Sequence, residues 1–120
     1  MKNSIKIELT NHLLDLINEG VLTNDNTEEW HFQAFNMDYY IVGYFGCNMW
    51  LQEHNIDPFE AVSICQQYER DNYGDTYGVY DNSENTVNML VYIYGEELLN
   101  EFQAKTIEEL KMLLLLLADS

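Results

Sequence analysis

The side chains able to do chemistry are scattered through this chain. The three histidines, His12, His31 and His54, share no metal-ligand spacing with one another or with the two cysteines, Cys47 and Cys65. They read as surface or half-buried structural histidines. A Cys–His nucleophile pair is the rival reading, but no local signature accompanies either cysteine. Each cysteine lies inside an apolar segment, which makes both of them buried free thiols of a reducing compartment. The segment DNYGDTYGVYDN has the acids of a calcium loop without the rest of its pattern. Counted from Asp71, the fifth position is Asp75, but the sixth is Thr76 where an EF-hand turn needs glycine, and the twelfth is Asn82 where it needs Glu. There is no phosphate-cradling loop, nucleotide-binding glycine pattern or serine elbow. The expectation is therefore a non-enzyme with no metal and no cofactor.

Charge is the informative feature. Five Lys and Arg stand against 21 Asp and Glu, for a net charge of −16 and a pI near 4.1. Between Lys6 and Arg70 there is no Lys or Arg against eleven acids. Between Arg70 and Lys105 there is again none against seven, namely Asp71, Asp75, Asp81, Glu84, Glu96, Glu97 and Glu101. Self-repulsion of this size costs stability. Such a surface repels nucleic acid and anionic membrane and attracts basic proteins, including clefts that hold DNA or RNA. Helix residues rise by about 1.5 Å, and duplex DNA carries one charge per roughly 1.7 Å of axis. Carboxylates on a rigid helical scaffold therefore approximate phosphate spacing. A solvated acidic surface is the ordinary alternative. The contact residues expected on this reading are Asp71, Asp75, Asp81, Glu84, Glu96 and Glu97, with Tyr73, Tyr77 and Tyr80 as aromatic anchors in the same loop.

The elements that must position these groups read as helices. At 120 residues, with 47% hydrophobic and 13% aromatic content, the chain is expected to be one globular domain over 1–120 with its own core. Ile5, Leu9, Leu13 and Leu16 follow helical spacing over Asn3–Glu19, and Gly20 suits the position after the helix end. Thr23–Asn26 is a polar turn, and Thr27 opens a helix to about Phe35. The apolar run Ala34–Glu53 reads as the buried centre of the fold, helical from about Asp38. A strand is its rival over 39–45, where YYIVGYF is rich in β-formers. Asp57-Pro58-Phe59-Glu60 opens a helix to about Asn72, with Phe59, Val62, Cys65 and Tyr68 set apart from a polar arc. Ser83 begins a long helix to about Gln103 with Val87, Leu90, Val91, Tyr94 and Leu98 in one stripe. Thr106–Glu109 caps a last helix to about Ala118. The fold class is all-α: a compact bundle of about five to six helices, with a short β-hairpin as an option near 73–80.

The last helix carries more leucine than one packed stripe needs, so it requires two covers. The second face is covered either by the first helix of the same chain, folded back on it, or, as the favoured alternative, by the same helix of a second copy, giving a homodimer through Leu114 and Leu115. The opening residues MKNSIKIELTNHLLDL lack the apolar core of a signal peptide, and the leucine run is too short to span a bilayer, so a cytoplasmic protein without membrane contact is expected.

Phe35-Asn36, Asp38-Tyr39-Tyr40-Ile41, Trp50-Leu51, Phe59-Glu60-Ala61, Tyr68-Glu69 and Asn88–Leu99 together resemble a family of small acidic proteins encoded by bacteriophages and prophages. The resemblance covers about Trp30–Phe102 and implies a phage context without an assigned activity. In charge, though not in aligned residues, the chain is also similar to phage DNA-mimic antirestriction and anti-CRISPR proteins. The expected function is inhibition of a basic, nucleic-acid-handling bacterial defence protein in the cytoplasm of the host. The alternative is a phage adaptor or regulator that binds a host protein through the aromatic loop 71–82.

Overall fold

The structure, a computed structural model, describes residues 1–36, 47–76 and 83–118, and of residues 83 and 84 the backbone alone. It contains α1 (Asn3–Asn18), a 3-10 turn (Thr27–Glu29), α2 (Trp30–Phe35), α3 (Cys47–Glu53), α4 (Pro58–Tyr73), α5 (Ser83–Phe102) and α6 (Ile107–Ala118). No strand occurs among the described residues. The hairpin option near 73–80 finds no support: Tyr73 closes α4, Gly74–Thr76 follow as bend and coil, and residues 77–80 lie outside the described residues. The chain is all-α.

The helices begin and end where local chemistry directs. Asp57 accepts the Phe59 backbone N–H at 2.8 Å, and Pro58, which has no N–H to satisfy, takes the first helical position of α4. Thr106 Oγ1 accepts the Glu109 N–H at 3.2 Å, and the Glu109 carboxylate reaches back to the Lys105 N–H at 3.3 Å. That is a capping box displaced by one residue. Gly20 and Gly74 follow α1 and α4 at φ 79° and 81°, the left-handed conformation that satisfies the last carbonyls most easily without a Cβ.

The packing centre is α5, which touches α1, α2, α3 and α4. The apolar run Ala34–Glu53, expected as the buried centre, is described only in part. Its C-terminal part is α3, with Cys47, Trp50 and Leu51 buried, while residues 37–46, and with them the choice between helix and strand over 39–45, lie outside the described residues. The α5 stripe is buried at Val87, Leu90, Val91 and Leu98, with Tyr94 half-buried. On the other side, α1 packs against α6, bringing Ile5, Leu9, Leu13 and Leu16 into one core with Leu110 and Leu114. Each such fully buried side chain contributes about 1.5–3 kcal/mol. The inward face of α4 is Ala61, Cys65 and Glu69, and Phe59 is 84% exposed. Its spacing groups Phe59 with Val62, Cys65 and Tyr68, away from the polar arc, but the structure turns it outward. At 100° per residue it falls more than a quarter-turn away from the line of Ala61 and Cys65.

Candidate functional site

Some of the acidic and aromatic candidates, Tyr73 and Glu96, come together where α4 and α5 pack, and the other described ones lie along the same two helices or just past α4. From α4, Tyr68 donates its hydroxyl to Glu96 Oε2 at 2.5 Å, and the Tyr68 and Tyr73 rings stand 6.4 Å apart at 79°. Asp71 lies between them in sequence, exposed, accepting from Gln67 Nε2 at 2.7 Å. Asp75, just past the helix end, is exposed, and its carboxylate accepts the Thr76 N–H. From α5 come Tyr92, half-buried Glu96 and exposed Glu97. Burial raises the pKa of Tyr68 above the ordinary phenol value, and the hydrogen bond to Glu96 raises it further. Burial also raises that of Tyr92, with Tyr73 and Glu96 adding to it. Two residues further along α5, burial raises the Tyr94 pKa, and Glu60 and Glu97 add their charge. The phenols are therefore held in their neutral, protonated form.

Of the residues singled out in the sequence, Asp71, Tyr73, Asp75, Glu96 and Glu97 are set on these two helices and the turn after α4. Tyr77, Tyr80 and Asp81 fall outside the described residues, and Glu84 is placed by its backbone only, in the first turn of α5. Tyr68 and Tyr92 were missed as members of the surface. Their helical spacing marks them only as half-buried, and nothing local reveals that Tyr68 reaches 28 residues along the chain to Glu96.

Each histidine joins two elements. His12 Nε2 bonds the Ala34 carbonyl at 2.5 Å, His31 Nε2 the Tyr92 carbonyl at 2.9 Å, and His54 Nδ1 the Ser4 hydroxyl at 2.7 Å. Glu8 receives the Trp50 indole N–H at 2.9 Å and lies 3.5 Å from His54 Nε2, so α1 is tied to α3 and the residue that follows it. His12 and His31 are half-buried, as their spacing suggested, whereas His54 is buried, which the sequence reading did not expect. Both cysteines are buried free thiols, and burial, with the nearby Glu69, pushes the Cys65 pKa up to about 12. Among the described residues, no three His, Cys, Asp or Glu side chains converge in a way that would hold a metal ion, and no helix is long and apolar enough to cross a membrane.

Two depressions lie elsewhere. One, of about 390 Å³, runs between the start of α2 and the end of α5, lined by Glu28, His31, Asn100 and Gln103 among others. The other, of about 450 Å³, lies on the outward side of α6 against Glu108, Lys111, Met112, Leu115 and Leu116. Leu114, expected at an intermolecular contact, is fully buried within the chain, whereas Leu115 is 45% exposed.

No protein-family model matches the chain, and neither a curated protein nor a solved structure does.

Proposed function

We propose that this protein is a phage-encoded acidic inhibitor of a basic, nucleic-acid-handling bacterial defence protein of the restriction or CRISPR type. It presents carboxylates where the partner expects phosphates. The observation that carries this reading is the α4–α5 surface, where Asp71, Asp75 and Glu97 are exposed on or beside helices and no basic side chain is paired with them among the described residues. The Lys ion pair found there, Lys6–Glu101 at 3.2 Å, joins α1 to the end of α5. The phage context rests on the sequence resemblance. Binding by such a surface is long-ranged and screened by salt. Capture of a basic partner from a lysate of defence-carrying bacteria should therefore be efficient at low salt and fail at high salt. Replacement of Asp71, Asp75 and Glu97 by Lys should abolish it while leaving the helical circular dichroism intact. Capture unaffected by both salt and charge reversal refutes mimicry by this surface.

A second reading is favoured by the 58% exposure of Tyr73: an adaptor that holds a host protein through aromatic anchors. The Tyr73→Ala variant separates the two. A mimic keeps most of its low-salt binding, and an adaptor loses its partner. The outward face of α6 extends the proposal to assembly, with a second copy of the chain as its occupant. The face is apolar at Met112, Leu115 and Leu116, and it carries one acid and one base, Glu108 and Lys111.

A further inference from the structure

The tyrosine cluster has the chemistry of a cation receptor. Tyr68 and Tyr73 form two walls near a right angle, with ring centroids 6.4 Å apart, and Tyr73 is 58% exposed. Tyr92 brings a third phenol close enough to interact with Tyr73 and Glu96, and its ring rests on His31 at 4.0 Å. The Tyr68 hydroxyl donates to one oxygen of Glu96. A phenol that donates to a carboxylate gains electron density in its ring, and the ring face is what attracts a cation. Among the described residues, no Lys or Arg is paired with the cluster. Arg70, the nearest base in sequence, donates its Nη2 to Gln67 Oε1 at 3.1 Å and is exposed on the polar arc of α4.

We propose that this cluster is a binding site for a single arginine side chain of the basic partner, with the guanidinium against the Tyr68 and Tyr73 faces and hydrogen-bonded to Glu96. A guanidinium fits better than an ammonium, because it is planar, stacks on aromatic rings and surrenders its hydration more easily. The proposal rests on the reading of the protein as a binder of basic proteins. It adds a short-range contact at which the partner's register is fixed, whereas the surrounding acids act at long range.

The test is an NMR titration of the isotope-labelled protein with N-acetyl-arginine amide, run beside the uncharged isostere N-acetyl-citrulline amide at constant ionic strength. The expected result is saturable movement of the Tyr68 and Tyr73 ring signals with arginine only. It should be weakened about five- to tenfold in Glu96→Gln, lost in Tyr73→Ala and kept in Tyr73→Phe, which preserves the ring face. Tyr73 is exposed, so its variants leave the core untouched, and the backbone spectrum of each variant confirms the fold. Equal movement with citrulline, or an unchanged titration in Tyr73→Ala, overturns the site. If arginine does not bind while the protein still captures a basic partner in a salt-sensitive way, the cluster is not the receptor and the wider acidic reading survives. If arginine binds and no basic partner is captured, the receptor stands without that reading.

Discussion

Phe35 shows how closely single residues are fitted here. Its ring lies 5.6 Å from that of His12 and 6.2 Å from that of His31, and Gly95 of α5 comes down on top of it. A Cβ added at Gly95 would come within 2.3–2.6 Å of three Phe35 ring carbons, far inside van der Waals contact. Replacing glycine by alanine inside a helix ordinarily gains about 1 kcal/mol, but overpacking of this kind costs about 1–3 kcal/mol. Gly95→Ala should therefore be net destabilising, read as a lower urea midpoint, and the double variant with Phe35→Leu should recover part of the loss. Cys65 makes a chemical prediction. The thiolate is the reactive form, and a pKa near 12 leaves almost none at pH 8. A disulfide reagent should thus titrate Cys65 only at the rate of unfolding. The same shift has a sign for stability. Cys65, with an ordinary value of 9.0, holds its proton more tightly when folded, as do Tyr68, Tyr92 and Tyr94 relative to 10.0. Their contribution is complete below about pH 9 and is lost as pH rises towards 12 and beyond, because the unfolded chain releases its protons first. Alkaline unfolding should begin in that window, with phenolate absorbance rising alongside loss of helix.

At the scale of elements, the ends of helices were legible and their partners were not. Gly20, Gly74, Asp57-Pro58 and Thr106–Glu109 mark boundaries within a residue or two of those observed, because a cap is chemistry between neighbours in sequence. The start of α6 shows the limit. Asn24, in the turn after α1, accepts the Ile107 N–H at 2.7 Å and donates to Glu108 Oε2 at 3.4 Å. The acceptance of its own backbone N–H, and then of Asn24, lowers the Glu108 pKa. No periodicity could announce a contact between residues 24 and 107. The polar turn itself, held by Asn26 to Thr23 and Val21 and by Trp30 Nε1 to the Thr23 carbonyl at 2.9 Å, was readable only as a turn. The same holds for the α4–α5 surface. The acids and Tyr73 stand out by composition, whereas Tyr68 joins them only through a tertiary hydrogen bond. Loss of a helix cap costs about 0.5–2 kcal/mol. Asn24→Ala should fall in that range by denaturant titration and speed amide exchange in the first turn of α6. Exchange unchanged there would mean that the bond contributes nothing.

For the whole molecule, the question is how a surface of −16 tolerates an exposed apolar face. The face on α6 consists of Met112, Leu115 and Leu116, exposed by 58%, 45% and 65%. The opposite side of the helix holds Leu110 and Leu114 against α1, so the first helix does fold back on the leucine run, and Leu114 belongs to the core and not to an interface. About half the burial of each exposed side chain remains to be gained, so six of them across a two-fold axis would contribute on the order of 5–10 kcal/mol. The association cost is about 4–15 kcal/mol. Hydrophobic contact alone therefore leaves the dimer near balance, and repulsion between two strongly acidic chains decides it. Salt screens that repulsion, so the dimer should tighten as salt rises, the opposite of the effect on a basic target. Sedimentation of the protein at about 50 µM should move from monomer towards dimer between low and moderate salt. Leu115→Glu together with Leu116→Glu should hold it monomeric and folded. Leu114→Ala, by contrast, opens the internal core, costing about 2–5 kcal/mol, and should lower stability without a specific effect on assembly. A protein that stays monomeric at every salt concentration leaves the α6 face without a second copy. Dimerisation that survives both glutamates moves the interface to another surface.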